Sequence, residues 1–144
     1  MKKHYHKLIL LVDSDRISNF FNKIIIKQTQ IAEKVIALDN YFDALNFITP
    51  KETLYPVPEI IFMDLKTPQM NGWEFLEKYN QLDKNSQKSI IIIFTDDLLK
   101  EEEINLSQYP FVRSFMNKKL DHTMITEVNE QLLMNNKELK ISNN

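Results

Sequence analysis

The chain has no cysteine and only one glycine, Gly72, among its 144 residues. Without cysteine it can build no disulfide and no Cys-ligated zinc or iron–sulfur site. A sequence that so avoids glycine is expected to keep one where positive φ or a close backbone approach demands it. No apolar run is long: 8–12 and 90–94 are the longest, against roughly 20 residues for a membrane-spanning helix. Nor is there a charge excess. Lys plus Arg is 18 and Asp plus Glu is 20, a net −2, so no basic field exists to hold nucleic acid. The basic start, 1–7, is followed by no long apolar stretch or small-residue cleavage site. No signal peptide, membrane contact or nucleic-acid partner is expected, and the expected location is the cytoplasm.

What is present suits one globular domain. Hydrophobic residues make up 43% of the chain and charged residues 26%, which is enough for a core without staples. Five short runs rich in Ile and Val, at 7–12, 34–38, 59–63, 89–94 and 112–116, are apolar throughout rather than alternating. That pattern suits parallel strands covered on both faces. Helical segments lie between them. Ile17, Phe20, Phe21, Ile24 and Ile25 recur at helical spacing and are expected to form one inward stripe. Residues 41–48 form a second helix. The third, 73–82, turns Phe75, Leu76 and Tyr79 inward, with Trp73 as a packing residue, and the fourth, 98–106, is acidic at its middle. The fifth, 121–134, presents Met124, Ile125, Val128, Leu132 and Leu133, with Asp121 as its N-cap. Residues 49–58 hold three prolines and read as a loop, and 137–144 read as a polar tail after a core of about 7–134. Five βα units predict an α/β, doubly wound sandwich with a five-stranded parallel sheet.

Ligands of such sheets bind beyond the carboxyl ends of the strands. There the sequence places Asp13-Ser14-Asp15, Asp64, Thr95-Asp96-Asp97 and Asn117-Lys118-Lys119. A carboxylate can attack a phosphoryl group, and the transfer needs charge neutralised and geometry held. Asp64, Asp13, Lys118 and Thr95 supply a nucleophile, a cation-binding acid, a positive charge and a hydroxyl. Asp15 or Ser14 is expected to cap the first helix. His4 and His6, read as a polar arm before the first strand, and His122 converge with no acids, so no metal role is expected of them.

The strand-end pieces 8–13, 58–75, 90–95 and 115–118, in that order, resemble the receiver domains of two-component response regulators, over about 7–134. The segment from Asp64 through Pro68 to Gly72 is the most specific of them. The resemblance implies a flavodoxin-like sheet of order 2-1-3-4-5 and a stand-alone receiver in a phosphorelay. Asp64 is then the phosphoacceptor, fed by a histidine kinase or phosphotransfer protein. Thr95, Lys118 and Phe115 are switch residues. Mg²⁺ is held by Asp13, Asp64 and the backbone carbonyl of Lys66, with Ser14 a poor substitute for the usual second acid, so its binding is expected to be weak. A downstream protein would read the face formed by the fourth helix, fifth strand and fifth helix. Such a chain is not an enzyme, but a phosphoacceptor that assists its own phosphorylation and dephosphorylation. Ser14, Asp96 beside the switch hydroxyl, and Lys119 in place of the usual cis-proline depart from the pattern. They support an alternative, a phosphorylation-independent pseudo-receiver. A flavodoxin-like cofactor domain is disfavoured, because no Gly- or Ser/Thr-rich phosphate loop follows the first strand.

Overall fold

The computed structural model describes residues 6–49, 57–66, 71–95, 98–116 and 120–134. Pro68, Asp96, Asp97, Asn117, Lys118, Lys119, His4, the tail and most of the proline loop lie outside them. Five strands, β1 (His6–Val12), β2 (Ala32–Leu38), β3 (Ile60–Asp64), β4 (Ile90–Phe94) and β5 (Val112–Met116), form one parallel sheet. Its order is β2-β1-β3-β4-β5, as expected. Helices α1 (Arg16–Thr29), α2 (Tyr41–Ile48), α3 (Gly72–Asn80), α4 (Lys100–Leu106) and α5 (His122–Met134) follow the strands in turn. Observed ends differ from the sequence reading by a residue or two; α4 begins at Lys100 because Leu99, in extended conformation, is its N-cap.

Alternation along each strand divides the apolar residues between two layers. Ile9, Leu11, Ile60, Phe62, Ile92 and Phe94 pack beneath α1 and α5, with Ile26, Ile125 and Val128. Leu10, Val12, Ile61, Met63, Ile91 and Ile93 pack beneath α2, α3 and α4 with Tyr41, Phe75 and Leu106. The expected stripe of α3 holds: Phe75, Leu76 and Tyr79 are all buried, and Trp73 packs against them. Met124, Ile125, Val128 and Leu132 of α5 are buried too, and the Asp121 carboxylate accepts from the Met124 amide at 2.8 Å.

The expected face of α1 is wrong. Ile17, Phe20 and Phe21 are 69%, 63% and 57% exposed, Ile24 is also exposed, and only Ile25 of the stripe packs inward. The buried face is instead Asn19 and Ile26. The cause is polar. Asp15 caps the helix, accepting from the Ile17 and Ser18 amides. The Asn19 amide then donates to the carbonyls of Asp13, at 2.8 Å, and Leu38, at 3.0 Å. Those carbonyls end two adjacent strands, and buried backbone acceptors need donors. Periodicity locates an apolar face but does not say which face turns inward.

His6 also differs from its reading. It is the first residue of β1, not part of an arm before it. Its ring nitrogens lie 2.6 Å from Glu59 Oε1 and 2.6 Å from Asn129 Oδ1, joining the start of the sheet to α5.

The only glycine is explained by proximity. A Cβ at Gly72 would lie 2.5 Å from the carbonyl oxygen of Leu65, which accepts from the Gly72 amide at 3.1 Å. No side chain fits where the start of α3 touches the end of β3.

The phase of α1 can be tested directly. Asn19→Ala should cost about 1–3 kcal/mol, because the buried donor to the Asp13 carbonyl is lost, while the Leu38 carbonyl keeps the Asp13 amide. Phe20→Gln should change stability by less than about 0.5 kcal/mol. Urea denaturation of both variants checks this; the reverse ranking would contradict the assigned helix face.

Candidate functional site

Strand register brings the site together. Val12 pairs with Met63, so the next residues, Asp13 and Asp64, lie side by side at the carboxyl ends of β1 and β3. Asp64 pairs with Phe94, which places Thr95 one residue further on the neighbouring strand. Asp13, Asp64 and Thr95 all line one cavity of about 510 Å³ between these strand ends and α1, with Ile17 and Phe21 at its rim. Three of the residues chosen from the sequence therefore converge.

Each is held from behind. Asp13 is 5% exposed, and its Oδ1 accepts from the Asp15 amide at 2.9 Å. Asp64 Oδ1 accepts from the Lys66 amide at 3.1 Å. The amide of the buried Thr95 donates to the Met116 carbonyl at 3.0 Å, tying the end of β4 to β5. Lys66 pairs in an isolated antiparallel bridge with Asn71, whose side chain caps α3 by accepting from the Trp73 amide. The two ends of the β3–α3 connection are thus pinned to each other.

Other residues named from the sequence lie outside this cluster or are engaged elsewhere. Ser14 is half-buried and does not line the cavity. Asp15 lines it, but its carboxylate is engaged in capping α1. Phe115 is half-buried and packs in the layer beneath α4, with no contribution to the cavity wall. His122 opens α5 and bonds to Gln28 Oε1 at 2.6 Å, away from the acids. Lys118, Lys119 and Asp96 belong to the residues not described. One participant was missed: Glu102, on α4, lies 3.1 Å from the Lys66 ammonium. Its only signal in the sequence was membership of an acidic run that reads equally well as a solvated face.

Burial pushes the Asp13 carboxyl up to about 6. The Asp15 amide opposes the shift, and the Asp64 and Asp15 charges reinforce it. Two carboxylates side by side in a partly dry cavity are an oxygen donor set for a hard cation. Their hard oxygens fit Mg²⁺, which takes carboxylates, carbonyls and water. Among the described residues no three His, Cys, Asp or Glu side chains gather into a self-sufficient metal site.

No protein-family model matches the chain, and no curated protein matches its sequence. Solved structures do match. A two-component response regulator from Cytophaga hutchinsonii is 23% identical, with TM-score 0.75, covering 92% of this chain and 99% of that one. One from Legionella pneumophila is 19% identical, with TM-score 0.74, covering 89% and 98%. A response regulator receiver protein from Dyadobacter fermentans is 17% identical, with TM-score 0.73, covering 88% and 98%. Among the described residues no helix is long and apolar enough to cross a membrane.

The raised Asp13 pKa has a defined sign in stability. The folded protein keeps this proton up to about pH 6, whereas the unfolded chain loses it near 3.9. The group's contribution is therefore intact below about pH 4 and lost as pH rises to about 6, a total of roughly 3 kcal/mol. Without metal, Asp13→Asn should be more stable than wild type at about pH 7.5, by up to that amount, and no more stable at about pH 4. Urea denaturation in chelator at both pH values checks this; equal stability at both would contradict the burial-raised Asp13 carboxyl.

Sheet order, helix sequence and these structural likenesses agree: the chain has the receiver fold of two-component response regulators.

Proposed function

We propose that the chain is a phospho-receiver in a two-component phosphorelay. Asp64 accepts a phosphoryl group from a histidine kinase or phosphotransfer protein. The modified site then alters a protein-binding face formed by α4, β5 and α5. One observation carries the reading: Asp64, Asp13 and Thr95 line a single cavity at the carboxyl ends of three neighbouring strands.

In the transfer, an Asp64 oxygen attacks phosphorus and the P–N bond of the donor phosphohistidine breaks. The imidazole nitrogen leaves with the electron pair. Asp13 and Asp64, with the Lys66 carbonyl, are the groups to hold Mg²⁺, which supplies charge neutralisation to the phosphoryl oxygens when bound. Thr95 offers its hydroxyl to a phosphoryl oxygen. Lys118, two residues beyond the end of β5, is assigned the mobile positive charge on its position in the sequence. The protein turns over no separate substrate, and its catalytic groups act on its own aspartate. Exposed Ile17 and Phe21 at the cavity rim support docking of an apolar donor surface directly beside Asp64.

A second reading, a phosphorylation-independent interaction module, is favoured by one feature. Ser14 brings no charge, and the Asp15 carboxylate is spent on α1, so among the described residues two carboxylates remain where three usually bind the metal.

Incubation with acetyl phosphate and Mg²⁺, followed by intact-mass measurement, separates the two. The phospho-receiver gains one phosphoryl group that is absent from Asp64→Asn. No adduct on wild type at any Mg²⁺ concentration, and none from a partner kinase, would overturn the phospho-receiver and favour the interaction module.

A further inference from the structure

Lys66 joins two parts of the molecule. Its amide donates to the Asp64 carboxylate at 3.1 Å, while its ammonium lies 3.1 Å from Glu102 Oε1 on the first turn of α4. The same Glu102 oxygen accepts from the Leu99 amide at 2.9 Å, closing the N-terminus of α4. A chain of three polar contacts therefore runs from the candidate phosphoacceptor to the cap of α4. Helix α4 has little else to hold it. Among its seven residues only Leu106 is buried, Ile104 is 64% exposed, and this is its only ion pair among the described residues.

We propose that the Lys66–Glu102 pair is a latch that holds the start of α4 until Asp64 is phosphorylated. The inference rests on the phospho-receiver reading and adds to it a route from the site to the partner face. Phosphorylation replaces the single negative charge of Asp64 by up to about two on the phosphoryl oxygens, against the single charge of Glu102. The Lys66 side chain is 42% exposed, and a flexible four-carbon stem lets its ammonium turn to the stronger anion. Glu102 then loses its counter-charge in a turn that also carries Glu101 and Glu103, and the first turn of α4 loosens. Coupling is reciprocal. A partner whose basic group takes Glu102 releases Lys66 toward Asp64 and changes the lifetime of the phosphoryl group.

Hydrogen exchange of α4, read beside intact mass, tests the latch. A partly exposed ion pair is worth about a two- to fivefold change in opening. Unphosphorylated Glu102→Gln and Lys66→Met should each exchange faster than wild type across α4 by about that factor. Treating wild type with acetyl phosphate and Mg²⁺ should produce the same acceleration, and Glu102→Gln should gain none further. An adduct on wild type with α4 protection unchanged would overturn the latch alone. So would a full phosphorylation response in Glu102→Gln, or unchanged α4 exchange in both unmodified variants. No adduct at all would overturn the phospho-receiver reading, and the latch with it.

Discussion

Parallel pairing of β1 with β3 forces two carboxylates together. Once Val12 is set opposite Met63, Asp13 and Asp64 have no freedom to separate, because each follows immediately on a buried strand that the core holds in register. The pairing is stabilised by apolar layers on both faces of the sheet, far larger in area than the two acids. The core thus supplies the energy that keeps like charges adjacent. Asp13 is held nearly dry, with its carboxyl pushed up to about 6. A group destabilised in this way gains most from a cation or from neutralisation by a partner. Such strain is commonly concentrated at functional positions.

The surroundings are organised by the same strand ends. Asn19 satisfies the carbonyls that close β1 and β2, and in doing so rotates the apolar face of α1 outward beside the cavity. Gly72 lets α3 begin in contact with Leu65, so that Lys66 projects from a pinned turn toward α4. A surface for a donor and a link to an output helix therefore follow from how the chain satisfies its backbone groups around Asp13 and Asp64.

Much of this is legible in the sequence. The strands are continuous Ile- and Val-rich runs, and their register needs only the rule that each run ends at the same edge. Asp13, Asp64 and Thr95 could therefore be placed together without coordinates. The inward stripe of α3 was readable because hydrophobic period and burial coincide there. In α1 they do not: the decisive residue is a buried Asn, and no periodicity of apolar residues reveals a polar anchor. His6 was misplaced for a related reason, since its partners Glu59 and Asn129 are distant in sequence. Glu102 was hidden among three consecutive glutamates, of which geometry selects the one that reaches Lys66.

Asp13 and Asp64 lie side by side as one electrostatic unit that a bound cation would stabilise. Calorimetric titration of Mg²⁺ near pH 6, in two buffers of different ionisation enthalpy, tests this most directly, because Asp13 is then about half protonated. Weak binding accompanied by proton release is expected, with both lost in Asp13→Asn. Binding without proton release, or binding that survives in Asp13→Asn, would contradict it.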